Sequence, residues 1–487
     1  MLATLVQKEL RAILLSPKFT GAFAVCSLLI LLSVYTGIQE YQAAVDQYDT
    51  ASRLNEETLR QATSWGHLGT KAYRKPDPMQ IFSSGLSYDI GRWSYINEDD
   101  VVELRHSAYS DDPIFAVFRF VDFAFIVQFV LSLLAILFTY DAVCGERESG
   151  TLRLVFSNAV SRAQYLVAKC LGAWLGLVIP ICIPILLALL LVLAFGVDLS
   201  ATHWFKLLTL IGLSLLLFTF FIVMGVFVST LTRRSSVSFL ATLVLWIVFV
   251  MIIPRAGVMA AGDLVDVPRV AQIDGQRAAF ARSKWDEFYK QMTDNLREFE
   301  QLDDEDQEAR DALTWAMMER QDSTRKVIEK EIEEYNVRLH EDLRQRKATQ
   351  EKLAFTLAKV SPASSYQLAV QALAETDIDG KRRYEDVLEN YRKEFSQYVQ
   401  QKVEETGDAG TFTIDVRHTA DGSGDVNIAS SRSSSALDVS GVPRFTPPHV
   451  AYAEIMGPVV IDFGLLGLSI LVAFVGAFVA FLRYDVR

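Results

Sequence analysis

Few of the reactive side chains in this sequence sit at spacings that chemistry requires. The histidines, His67, His106, His203, His340, His418 and His449, are scattered. No His-Glu-x-x-His run and no Cys-x-x-Cys pair occurs, so spacing offers no metal site. A phosphate-cradling Gly-x-x-x-x-Gly-Lys-Ser/Thr loop is missing too, since Gly66-His-Leu-Gly69-Thr70-Lys71 has the wrong spacing. No catalytic residue, metal or cofactor is therefore expected on this chain, and it is not read as an enzyme. The candidate is instead a compact charged loop, Asp141-Ala-Val-Cys-Gly-Glu146-Arg147-Glu148-Ser-Gly150-Thr151-Leu152-Arg153. Charge alternates through Glu146, Arg147 and Glu148, and Gly150 permits a sharp turn. Thr151 to Phe156 forms a brief helix with Leu152 and Val155 on one side. Ser161-Arg-Ala-Gln164 has capping-box spacing and opens the next helix. Such a small rigid element gives a soluble partner something to push on. The plain alternative is an ordinary solvated loop.

The elements that hold this loop are apolar. The 487-residue chain is 51% hydrophobic, and the apolar residues gather into six stretches long enough to cross a bilayer, which takes about 20 residues. The spans are expected at 19–38, 119–140, 171–195, 205–230, 235–254 and 459–482. Residues 1–18 lead in, 141–170 carry the loop, and 483–487 form a tail. Lys8, Arg11 and Lys18, the loop cations Arg147, Arg153, Arg162 and Lys169, Arg233 with Arg234, and Arg483 with Arg487 all fall on one side. By the positive-inside rule that side, with both termini, is cytoplasmic. The short loop from Gly196 to Trp204 has no Lys or Arg and falls on the other. The first stretch is longer than a signal-peptide core and is read as an uncleaved span. Cys26, Cys144, Cys170 and Cys182 sit in or beside spans and are read as packing residues, leaving no disulfide framework outside. The formal charge of −12 resides largely in the outer segments and gives no support to nucleic-acid binding.

Residues 1–18 carry Leu2, Leu5, Val6, Leu10, Ile13 and Leu14 at helical spacing, which suits an interfacial helix on membrane lipid; a simple extension of the first span is the alternative. Segments 39–118 and 255–458 lie outside. The first is rich in aromatics, among them Trp65, Tyr73, Tyr88, Trp93 and Tyr95. The second holds two long helical patterns. Trp285, Phe288, Met292, Leu296 and Phe299 form one stripe; Ile328, Ile332, Tyr335, Leu339 and Leu343 form another. Leu302-Asp303-Asp304-Glu305-Asp306 separates them. An antiparallel hairpin and a compact bundle both fit. Ser361-Pro362 ends the second arm, a helix over Tyr384 to Glu405 follows, and a strand pair is expected around Phe412–Val416 and Val426–Ala429. The fold class is an all-α polytopic membrane protein with six transmembrane helices and a large, mainly helical extracytoplasmic domain.

The spans hold little charge. Arg119 and Asp122 lie at the outer end of the second, and Asp462 near the outer end of the sixth, where interfacial solvation is the expected state. Without deeper ionisable groups an ion-driven carrier is disfavoured. Pro180 and Pro184 should bend the third span, either as a gate or to accommodate packing.

The run Gly145-Glu-Arg-Glu-Ser-Gly-Thr-Leu-Arg-Leu154, with Ser161-Arg-Ala-Gln-Tyr-Leu-Val-Ala-Lys169, resembles the first cytoplasmic loop of type-2 ABC-transporter permeases. Lys8-Glu9-Leu10 and Ser16-Pro17 are similar to that family's lead-in helix, and Ser361-Pro-Ala-Ser-Ser-Tyr366 to a subgroup with large extracytoplasmic insertions. The resemblance implies a permease subunit in a prokaryotic inner membrane, paired with a second permease subunit, identical or not. It implies a separate cytoplasmic ABC ATPase that carries ATP and magnesium. Glu146, Arg147, Glu148, Gly150, Thr151 and Arg153 would then be coupling positions. An outer partner protein is a further expectation. So are two other roles, a mechanical transmitter and a sensor or scaffold.

Overall fold

A computed structural model describes residues 2–85, 93–97, 104–105, 122–158, 160–300, 307–406, 412–418, 424–430, 436–448 and 450–483. Arg119, His106, Tyr88, His449, Arg487 and the Leu302–Asp306 break lie outside the described residues, as do the side chains of Leu296 and Phe299.

Local signals start the helices. After α1 (Leu2–Leu14), Ser16 accepts from the Phe19 N–H and Pro17 occupies the first turn of α2 (Pro17–Arg60). This helix passes the expected end of the first span and continues to Arg60. The second apolar helix, α3 (Phe123–Glu148), starts at the Asp122 cap, contains a π-helical stretch at Ile126–Leu131 and turns at 140–143. Gly150, at φ +74°, separates it from α4 (Thr151–Phe156). Helices α5 (Arg162–Ala194) and α6 (Ala201–Leu231) both open on complete capping boxes, Ser161 with Gln164 and Ser200 with His203. The fifth and sixth apolar helices are α7 (Ser235–Leu264) and, at the far end of the chain, α12 (Tyr452–Leu482). Six described helices are thus long and apolar enough to cross a membrane.

Residues 1–251 and 361–487 form one unit and Ile252–Val360 a second. In the first, α6 is the central helix, with Leu210, Leu213, Leu217, Phe221 and Val226 fully buried. A small sheet, β1 (Thr70–Tyr73), β2 (Trp93–Ile96) and β3 (Leu104–Arg105), pairs antiparallel in that order. Its buried side meets Trp65, Leu68 and residues of α11 (Ile378–Thr406). Helix α10 (Pro362–Leu373) buries Ala363, Tyr366, Ala369, Val370 and Leu373 in the same apolar cluster as α3, α6 and α12.

The second unit contains the end of α7 together with α8 (Val270–Glu300) and α9 (Gln307–Ala358). Arg277 donates to Asn336, Phe280 stacks on Tyr335 at 4.0 Å, and Lys284 pairs with Glu331 at 2.6 Å. As one number rises the other falls, so the helices run antiparallel. The expected stripe from Ile328 to Leu343 is the covered side of α9. At 1.5 Å per residue, its 52 residues make it about 80 Å long.

The segment 255–458 is therefore not one body. Residues from Ser361 onward belong with the apolar helices, because α10 offers small and apolar residues that fit between them. The expected strand pair is present as β4 (Phe412–His418) and β5 (Gly424–Ser430), antiparallel with Ile414 opposite Ile428. Asp462 also departs from expectation. It is 1% exposed, enclosed by protein and not solvated at an interface, because its position on α12 faces the helices that α12 packs against. Helix α5 stays continuous through Pro180 and Pro184, with Pro184 buried.

Candidate functional site

The charged loop is clamped on its inner side by one carboxylate. Glu146 Oε1 accepts from Lys169 Nζ of α5 at 2.9 Å and from Lys8 Nζ of α1. Its Oε2 accepts from the Tyr165 hydroxyl at 2.6 Å. Lys169 is 5% exposed and also meets Glu9 Oε1 at 2.8 Å. Three elements, α1, α3 and α5, thus converge on a half-enclosed set of two acids, two lysines and a tyrosine. Burial weighs against the charge of Lys8, but the Glu146 and Glu9 carboxylates outweigh it and hold its pKa above the ordinary lysine value.

Glycine brings α1 close enough for this. A Cβ at Gly172 would lie 2.4 Å from Glu9 Cβ, and one at Gly176 would lie 3.3 Å from Ile13 Cδ1. The pair is one helical turn apart on α5, the small-xxx-small arrangement that lets two backbones approach. Much of the apolar stripe of α1 is therefore spent on α5: Ile13 is buried, while Leu14 and Leu15 remain exposed.

The rest of the loop is equally fixed. The N–H groups of Val143 and Cys144 donate to Ser229 Oγ of α6 at 2.9 and 3.0 Å. Leu152 of α4 is buried with Val143, Leu166, Val226 and Phe481. Phe156, Tyr165 and Phe481 form a ring cluster with centroids 5.3 to 5.9 Å apart. Arg162 donates to the Phe481 and Leu482 carbonyls that end α12, a favourable place for a cation at a helix C-terminus. Glu148 accepts from Ser235 at the start of α7. The outward face includes Gly150, Thr151, Arg153 and Leu154, the last 68% exposed.

The sequence-derived positions therefore split. Glu146 turns inward, Glu148 braces α7, and Arg147 is half-buried; Gly150, Thr151 and Arg153 face out. Pro180 and Pro184 are not brought to this site.

The model of the ABC-2 family transporter protein matches residues 3–486. The chain belongs to this family. It is also similar to two proteins named probable ABC transporter permease protein NosY. With that of Stutzerimonas stutzeri it is 33% identical over 131 residues, 26% of this chain and 47% of the relative. With that of Pseudomonas aeruginosa it is 32% identical over 132 residues, 27% of this chain and 48% of the relative. The chain spans about half the length of the curated relatives it matches. An ABC-2 transporter protein with six long apolar helices is a multi-pass membrane subunit of an ABC transporter.

In this ABC-2 chain Glu9 and Tyr165 lay within the runs that carry the family resemblance but had no role assigned to them, and Gly172 and Gly176 were not singled out by sequence. A Gly-x-x-x-Gly pair inside an apolar helix was the legible signal for the close approach. Nothing local marked Leu154 as an exposed apolar residue beside Arg153.

A second polar cluster sits at the other end of α6. Lys206, 3% exposed, meets Glu375 at 2.6 Å, and Arg74 donates to the Glu375 carbonyl at 3.1 Å. Glu375 adopts φ +53°, a strained position for a side-chain-bearing residue. The Ser200 N–H donates to His203 Nδ1, and His203 Nε2 lies 3.5 Å from Asp77. Burial opposes the charge of Asp77, but His203, Lys206 and the Met79 N–H outweigh it and hold its pKa below the usual carboxylate range.

Proposed function

We propose that this ABC-2 subunit couples a separate cytoplasmic ABC ATPase to substrate export across a prokaryotic inner membrane. One observation carries the reading: the loop is rigidly joined to α1, α5, α6, α7 and α12 on one side and presents Gly150, Thr151, Arg153 and Leu154 on the other. A push on the outward face would move these helices together, because Glu146, Ser229 and the buried cluster around Leu152 tie the loop to them. ATP and magnesium would belong to the ATPase, and a second permease subunit would complete the membrane pair. The cation distribution supports cytoplasmic termini with both inserted segments outside. Pro180 and Pro184 remain gate candidates within α5.

The test is co-purification of the native complex from its own cells. The Arg153→Ala, Leu154→Ala double variant should lose the ATPase subunit while the permease remains in the membrane. Retention of a full ATPase complement by that variant, or ATP hydrolysis by the purified chain alone, would refute the reading. A second reading, mechanical transmission to an outer partner, is favoured by the long antiparallel pair α8 and α9. Vesicle uptake without any outer partner would count against it. A sensor or scaffold role would require that no ATPase bind at all.

A further inference from the structure

The first inserted segment holds a cavity that the ATPase reading leaves unused. It lies beside the small sheet. Lys71 pairs with Tyr95 and Tyr73 with Trp93 across β1 and β2. Thr70, Ala72, Ser94 and Ile96 are buried on one face, so Lys71, Tyr73, Trp93 and Tyr95 share the opposite face. A sheet with one covered side ordinarily turns polar residues to the other. Here three of the four are aromatic, and Lys71 Nζ stands 5.0 Å from the centre of the Trp93 ring.

Lys71, Tyr73 and Tyr95 line a cavity of about 600 Å³, completed by Leu54 and Thr58 of α2, by Gln61 just beyond its end and by His67. That volume falls within the usual range for small-molecule sites. The wall is preformed. The Asn55 side chain donates to Thr70 Oγ1 at 3.0 Å and to the Lys71 carbonyl at 3.2 Å, and accepts from the Lys71 N–H at 3.0 Å. That two-way bond holds β1 on α2. No carboxylate among the described residues lines the space.

This chemistry selects a ligand class. A cationic ligand would meet Lys71 and no carboxylate among the described lining residues. A wholly apolar one would strip water from hydroxyl, amide and ammonium groups without replacing their bonds. Aromatic faces beside hydroxyl and amide groups match a ring with apolar C–H faces and a hydroxyl edge. Lys71 adds a point charge for a carboxylate or phosphate. We propose that this cavity binds a saccharide carrying an anionic substituent. The site is remote in sequence from the charged loop and does not depend on ATPase coupling.

The experiment is saturation-transfer NMR on the full chain in detergent, with glucuronate, glucose and a neutral tripeptide as probes. Transfer is expected to glucuronate, more weakly to glucose, and not to the tripeptide. Lys71→Gln, at an exposed position, should weaken glucuronate roughly threefold and leave glucose unchanged. Tyr73→Ala should weaken both sugars on the order of tenfold. Absence of transfer to either sugar, equal affinity in the Lys71→Gln protein, or binding of the tripeptide in place of the sugars would each overturn the proposal.

Discussion

The two polar clusters at opposite ends of α6 are built differently. Ser229, which holds the loop, and Lys206, which holds Glu375, are 23 residues apart on one helix, about 35 Å. At the loop end, a single carboxylate gathers donors from α1 and α5, and the structure behind it leaves an outward face uncovered. At the Lys206 end, the contacts are spread over two acids, Glu375 and Asp77, and close on folded chain: the segment after β1, the turn after α10 and the first turn of α6. A shared hub moves its elements together, whereas contacts spread over two acids can yield one at a time. The loop end is therefore suited to receive force, and the Lys206 end to anchor the segments beyond it.

The most damaging test of that contrast is Glu146→Ala. It leaves Lys169 buried with Glu9 alone and should cost about 3 kcal/mol, read as a lower unfolding midpoint in detergent. A loss under about 1 kcal/mol would mean the hub is no more than a set of surface pairs. Next is Gly172→Ala, whose Cβ meets Glu9 Cβ, a group with no room to swing away. A loss of roughly 2 kcal/mol is expected, larger than for Gly176→Ala, and α1 should become more open to protease.

At the other end, Lys206→Met strands Glu375 and should cost about 1 to 2 kcal/mol, while Lys206→Met with Glu375→Leu should recover most of it. A double variant no better than the single one would show that the strained turn, not the ion pair, fixes this end.

One group from each cluster should lose its contribution at opposite ends of the pH scale. Asp77 has a depressed pKa when folded. Its contribution is complete above the free carboxylate value of about 3.9 and is lost as pH falls through its lower folded value. Lys8 has a raised one, so its contribution is complete below about 10.4 and is lost as pH climbs through its higher folded value. Unfolding midpoints against pH should flatten on the acid side in Asp77→Asn and on the alkaline side in Lys8→Met. The smallest effect is the most informative for function. Arg153→Ala should change stability by less than about 0.5 kcal/mol while weakening capture of the ATPase.

Short windows of residues dictated much of the local structure. Apolar length set the six long helices, the Ser161 and Ser200 caps set where two of them begin, and Gly150 set the turn before α4. The stripe from Ile328 to Leu343 faced the partner helix for the same reason, since a 3.6-residue period is written locally. Which charge meets which was settled by long-range packing. Glu146 lies 138 residues from Lys8, and Lys206 lies 169 from Glu375; no local pattern links such pairs. It also decided that Asp462 is enclosed and that α10 enters the apolar cluster. Burial is a property of what surrounds a residue, and those surroundings arrive from distant parts of the chain.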